Sequence, residues 1–215
     1  MSKKINLNGL DVFLMPQKVV FIPRYDMIIL SDWHIGKLGH FRKEGLFVPP
    51  MQLEEEFARL AVLVEELLIR QVVFLGDLFH SSWNYEWDEF QKFLGRYPGI
   101  RFTLTRGNHD ILPDALWRKS ILHVKEHVLL SEGILFSHEP MPNLDKGIIN
   151  VVGHLHPGCE VATRGRQFFK LPCFYWEEGV LTLPAFGRWT GLFLVGKRYN
   201  NRIFAVVGNE VVELK

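Results

Sequence analysis

The chain has 215 residues, 47% of them hydrophobic and 23% charged, which is enough for one well-filled domain and outside the range of disordered proteins. A formal net charge of +1 excludes a globally polybasic or polyacidic protein, and no apolar run approaches the roughly 18 residues that a membrane span needs. The start, MSKKINLNGL, lacks the apolar stretch of a secretion signal, and Cys159 and Cys173 are the two cysteines, so free thiols in a reducing cytoplasm are the expectation.

No fixed-period repeat or low-complexity linker interrupts the chain, and residues 1–215 read as a single domain. DMIILSDWH, from Asp26 to His34, is a short apolar run with a polar end and predicts a buried strand. After Pro50, Leu53, Phe57, Leu60, Val64 and Leu67 recur at three- and four-residue steps, the period of a helix. Glu54, Glu55 and Glu56 stand in its first turn, where the helix dipole favours them. QVVFLGD predicts the next strand, roughly Glu86 to Tyr97 the next helix, and IRFTLTRGNHD a third strand ending in a polar turn. Strand, helix, strand, helix, strand implies a parallel sheet with covering helices.

The second half changes character. HVLLSEGILFSHEP reads as two strands about a Ser-Glu-Gly turn, and GIINVVGHLHPG as another buried strand. Short alternating segments follow, with turn residues every eight to twelve positions and no long helix. The fold class expected is α/β, with two packed mixed β-sheets flanked by helices.

Each polar cluster follows an apolar run. Asp32 and His34 follow MIIL, Asp77 follows VVFL, and Asn108, His109 and Asp110 follow FTLT; His138 follows GILF, while His154 and His156 follow IINVV. Strand C-terminal ends in an α/β sheet converge on one edge, so these clusters read as one site. A lone GD or DxH is structural more often than not; five such clusters on five strands are not. Asp, Asn and His offer hard oxygens and borderline nitrogens, a set that suits Mn²⁺, Fe or Zn²⁺ better than Ca²⁺, and Mn²⁺ is the expectation among them. Asp32, His34, Asp77, Asn108, His138, His154 and His156 are too many ligands for one ordinary ion and suit two. Asp77, the lone carboxylate of its motif, is the natural bridge between them.

The ordered blocks DWH, GD, GNHD, SH and GHLH resemble the calcineurin-like metallophosphoesterases, with a sandwich of two sheets between helices. That resemblance implies one metal among Asp32, His34, Asp77 and His156 and a second among Asp77, Asn108, His138 and His154. His109 would face the substrate, with Asp110 orienting its ring. GDLFH, DWHIGKLGHFRKEGLFVPP, SHEP, GHLHP and LPAFG are similar to the bacterial ligase-associated DNA damage response endonucleases, related to double-strand-break repair nucleases. This implies a two-metal phosphodiesterase acting on DNA, single-stranded or damaged, with a DNA ligase and a helicase as partners and a homo-oligomer as one assembly compatible with it. Trp33 departs from the pattern, which has a smaller or aliphatic residue there, and the chain lacks the capping and DNA-binding domain of the larger repair nucleases.

Other residues carry two readings. His80 is a catalytic candidate at the leaving group, or a buried histidine. Lys37, His40, Arg42 and Lys43 are candidate substrate-phosphate contacts, as are Arg164 and Arg166, or else solvated surface. Trp83, Tyr85 and Trp87 could stack bases but fit core or rim packing better. The alternatives to a nuclease are a small-molecule phosphodiesterase or nucleotide pyrophosphatase or phosphatase on the same ligands, and a non-catalytic scaffold of a ligase–helicase complex.

Overall fold

The computed structural model describes residues 1–37, 52–79, 85–162 and 167–214. Its first sheet runs β1 (Lys3–Leu7), β2 (Leu10–Met15), β3 (Val19–Ile22), β4 (Met27–Ser31), β5 (Gln71–Leu75), β6 (Arg101–Thr105) and β7 (His123–Lys125) in spatial order. Pairing is antiparallel from β1 to β4 and parallel from β4 to β7. The sequence reading starts the sheet at Asp26; the structure adds three antiparallel strands before it.

Every residue of β4 is buried, because both of its faces are covered. Ile28 and Leu30 face a layer made by α1 (Gln52–Glu66), α2 (Tyr85–Leu94) and α3 (Asp114–Lys119), while Met27 and Ile29 face the second sheet. β5 does the same, with Val72 and Phe74 on the helix side and Val73 and Leu75 on the other. A parallel strand covered on both faces reads as a continuous apolar run, which is what MIIL and VVFL are. Helix α1 buries Phe57, Leu60, Leu63 and Val64 on that side, with Leu53 and Leu67 partly buried beside them. Trp87 packs edge-on to Trp117 and against Phe79, so it is core and not a base-stacking surface.

The second sheet is built from β8 (Val128–Leu129), β9 (Ile134–Phe136), β10 (Ile149–Val152), β11 (Pro157–Ala162), β12 (Phe168–Glu177), β13 (Val180–Thr182), β14 (Phe193–Leu194), β15 (Asn201–Val207) and β16 (Glu210–Leu214). The order is β14-β11-β12-β13-β10-β9-β8, with β15 on β12 and β16 on β15. Phe136, Val151, Phe174, Leu181 and Phe204 meet Val12, Ile29, Val73 and Leu75 in the core between the sheets. The architecture is therefore two mixed sheets face to face, with the described helices on the first. Cys159 and Cys173 are buried free thiols on neighbouring strands. No helix among the described residues is long and apolar enough to cross a membrane.

Close approach at the strand ends explains two motif glycines. A Cβ on Gly153, just past β10, would lie 2.6 Å from both Asp32 Oδ2 and Ser31 Cβ. A Cβ on Gly107, just past β6, would lie 2.3 Å from Asp77 N. Both glycines let another strand end come within contact of an aspartate that terminates β4 or β5. Gly153→Ala is therefore expected to destabilise by about 1–3 kcal/mol, lowering Tm by roughly 2–12 °C for a chain of this size. Gly99→Ala, whose Cβ would meet nothing within 4 Å, serves as the control, and thermal unfolding of the two variants checks the difference.

Candidate metal centre

The ends of β4 and β5 lead directly into the first pair of candidate ligands. Asp32 N donates to Gly76 O at 3.2 Å, His34 N to Asp77 O at 3.0 Å and Ile35 N to Leu78 O at 2.9 Å, so the two loops continue side by side past the sheet. They do so on an uncommon backbone. Asp32, His34, Asp77, His154 and His156 all have positive φ, between 45° and 65°. Left-handed backbone is sparsely populated by residues with a Cβ, Asp and His being among the more tolerant, and costs on the order of 1–3 kcal/mol per residue. Five instances at one edge mean that the surroundings impose the conformation in order to aim these side chains.

The side chains converge in two groups whose ligand atoms lie within 4.8 Å of one another: Asp32, His34 and His156, and Asp77, His138 and His154. In the first, His34 Nε2 is 3.2 Å from His156 Nε2, which is 3.3 Å from Asp32 Oδ1. In the second, His138 Nε2 is 3.1 Å from His154 Nδ1 and 3.4 Å from Asp77 Oδ1. Asn108 joins it, with Oδ1 at 3.0 Å from His138 Nε2. Each group draws on both sheets. All seven candidate ligands are thus brought together, and Asp77 is grouped with the second set.

The donor chemistry fits a cation. His138 Nδ1 lies 2.9 Å from Leu75 O, which only accepts, so Nδ1 carries the proton and donates. In the neutral ring Nε2 then presents a lone pair, and the Asp77 carboxylate and Asn108 carbonyl oxygens pointing at it are acceptors too. Acceptors facing one another repel unless positive charge lies among them, and a histidine oriented by a backbone carbonyl is the usual support of a metal ligand. Asp32 and Asp77 are 0% and 3% exposed, a costly placement for carboxylates without compensating charge. Each is partly compensated by a peptide N–H from another segment: His154 N donates to Asp32 Oδ2 at 2.9 Å, and His109 N to Asp77 Oδ1 at 2.9 Å.

His109 is exposed, and its ring stands edge-on to that of His34 with centroids 5.7 Å apart, beside the first group. Asp110 requires a correction. It was expected to orient the His109 ring; instead its Oδ1 accepts from Leu78 N and Phe79 N at 3.0 and 3.2 Å, and its Oδ2 from Gly107 N at 2.9 Å. It ties the loop after β6 to the loop after β5. Burial pushes its carboxyl up to about 6, against the amides of Gly107 and Phe79, which hold it down. Lys37 is half-buried next to the site, and burial lowers its ammonium. His80, His40, Arg42, Lys43, Trp83, Arg164 and Arg166 lie outside the described residues, as does the side chain of Tyr85.

Sequence reasoning missed the support beneath Asp32 and His34. Glu56, expected to sit in the first turn of α1 for its dipole, turns inward and is 8% exposed. Its Oε2 accepts from Trp33 Nε1 at 2.8 Å and its Oε1 from Arg188 N at 2.9 Å. Trp33, the departure from the family pattern, is 2% exposed and packs on Phe57, Phe74, Phe90 and Phe186. The indole of the DWH block thus anchors the ligand loop from below. The one available signal was an indole N–H needing an acceptor, with the acceptor 23 residues away.

Residues 26–179 match the calcineurin-like phosphoesterase family model. Among solved structures, the Pseudomonas putida nuclease MPE is 27% identical over 100% of both chains, with a TM-score of 0.80. Yfce, a phosphoesterase from E. coli, is 14% identical over 87% of this chain and 97% of that one, with a TM-score of 0.44. No curated protein matches. The matched span exceeds half of the sequence and takes in all seven candidate ligands, so the chain belongs to the calcineurin-like phosphoesterase family.

Proposed function

We propose that the protein is a two-metal phosphodiesterase acting as an endonuclease on DNA. The observation that carries this reading is the pair of carboxylate-and-imidazole donor groups, each drawn from both sheets at one edge with its ligand atoms within 4.8 Å of one another. Asp32, His34 and His156 would hold one divalent cation, and Asn108, His138 and His154 the other, with the Asp77 carboxylate between them. Such ions, Mn²⁺ first among them, supply Lewis-acid charge that activates water and neutralises the phosphoryl oxygens.

The chain's own residues divide the remaining work. His138, oriented by Leu75 O, keeps its Nε2 free for a ligand. Asp110 holds the His109 loop on the Asp77 loop through backbone amides, so the exposed His109 ring stays over the first group. There it stabilises charge on the phosphoryl oxygens or passes a proton to the leaving oxygen. His80 is proposed for the leaving group at the flank, and Lys37, His40, Arg42 and Lys43 for the substrate backbone. The choice of a nucleic acid is supported by the 27% likeness to a protein described as a nuclease, and that of DNA by the sequence resemblance alone. The resemblance to ligase-associated endonucleases supports a place in DNA repair, with a ligase and helicase as partners, in the cytoplasm.

The test is turnover of single-stranded and nicked DNA, small nucleotides and bis(p-nitrophenyl) phosphate by protein loaded in turn with Mn²⁺, Fe and Zn²⁺. Preferred cleavage of DNA is the expected result; preference for small nucleotides would replace it with the small-molecule reading, and no turnover of any diester would leave the scaffold. Asp77→Asn is expected to abolish activity and to bring metal content clearly below that of the unmodified protein, measured by elemental analysis. Two metals at full occupancy in that variant would remove Asp77 from between them. His109→Ala is expected to keep both metals and lower kcat by roughly 10²–10⁴ on every substrate, the range for loss of a positioned acid–base group. Removing the charges of Lys37, Arg42 and Lys43 should raise KM for DNA and flatten its salt dependence by about 0.7 in log–log slope per contact on single strands; an unchanged slope returns them to plain surface.

A further inference from the structure

The loop that follows β13 is held against the first donor group with unusual thoroughness. Ser31 pairs with Ala185 in an isolated parallel bridge, Phe186 N donates to Ser31 O at 2.8 Å, and Gly187 N to Asp32 O at 3.2 Å. Three charged side chains reinforce it. Arg59 donates to Phe186 O at 2.5 Å with its guanidinium 3.8 Å above the Phe186 ring, Lys18 donates to Gly187 O at 3.2 Å, and buried Glu56 accepts Arg188 N. Burial pushes Lys18 down to about 7 and Arg59 down to about 10, the mark of cations kept where water would suit them better.

What this framework presents is not itself core. Trp189 is 47% exposed, and the Arg188 side chain is 55% exposed where it pairs with Glu55. Together with Lys37, Thr190 and Glu56, whose carboxylate oxygens accept from Trp33 Nε1 and Arg188 N, they line a small cleft whose wall includes His34, a member of the first donor group. An aromatic face beside two cations, next to a centre that cleaves phosphate esters, is the combination that holds an unpaired nucleotide: the ring takes the base and the cations take the backbone.

We propose that Trp189, Arg188 and Lys37 form a subsite for the nucleotide adjoining the scissile phosphate, with the indole stacked on its base and the two cations on its phosphate. The subsite rests on the nucleic-acid reading above and gives the expected single-stranded substrate a physical basis, since a base inside a duplex is already stacked on both faces by its neighbours. Base–aromatic stacking tolerates any base, so the subsite selects for single strands without selecting sequence.

The experiment compares kcat/KM on oligothymidylate with that on bis(p-nitrophenyl) phosphate for the unmodified protein, Trp189→Ala, Trp189→Phe and Arg188→Gln, with metal content measured alongside. Trp189→Ala should lower the ratio by roughly 5- to 150-fold, the loss typical of one stacked base, while Trp189→Phe keeps most of it and Arg188→Gln weakens the salt dependence on oligothymidylate. An unchanged ratio in Trp189→Ala, or equal loss on both substrates together with lost metal, overturns the subsite and leaves the nuclease reading standing. If the unmodified protein turns over the small diester but not the oligonucleotide, the nuclease reading fails by itself. Quenching of intrinsic tryptophan fluorescence by oligothymidylate then decides the subsite: quenching that disappears in Trp189→Ala supports it, and quenching that is absent or independent of Trp189 overturns it.

Discussion

A carboxylate removed from water has to be compensated, and Asp32 and Asp77 sit almost fully buried at the ends of adjacent parallel strands. Each is met by a peptide N–H from a different segment, His154 for Asp32 and His109 for Asp77, and by imidazole nitrogens. Peptide dipoles reduce the cost of burial without supplying a full positive charge, and a cation between the carboxylates and the imidazole lone pairs would supply it. Much of the local architecture follows from that deficit. The glycines let strand ends approach, the left-handed residues turn donors inward, and the Leu75 carbonyl fixes the tautomer of His138.

The parts of this arrangement differ in how far they were legible in the sequence. The parallel strands were, because burial on both faces leaves a continuous apolar run with an abrupt polar end. Helix α1 was, because Phe57, Leu60 and Val64 keep the helical period. The convergence of the polar clusters followed from topology, since strands paired in parallel deliver their ends to one edge, and the structure brings all seven candidate ligands there. Residues 1–22 were not recognised as strands, and α3 went unseen because six residues carry too little period to register.

Side chains that act on distant backbone were hidden altogether. Glu56 looks like an ordinary first-turn acid until Arg188, 132 residues later, arrives to use its second oxygen. Asp110 sits beside His109 in sequence, which suggested a pair, yet its carboxylate reaches backbone amides 31 and 32 residues away. Pairing by adjacency is a weak guide when three N–H groups left over from loops compete for the same oxygens. The arrangement of Arg188 and Trp189 depends on three other segments, at Lys18, at Ser31 and Asp32, and in helix α1, and leaves no local trace in the order of residues.

Because each donor group takes side chains from both sheets, an ion held there is also a fastener between the two halves of the sandwich. His34 and His156 are 122 positions apart, so their joint grip closes a long stretch of chain. Affinity for metal and cohesion of the interior are then two readings of one free energy. A change deep between the sheets, at Phe136 or Phe174 for instance, with no donor atom of its own, would surface as looser metal retention at the edge. The tenacity with which such an ion would be kept is then a gauge of how well the hydrophobic interior is packed.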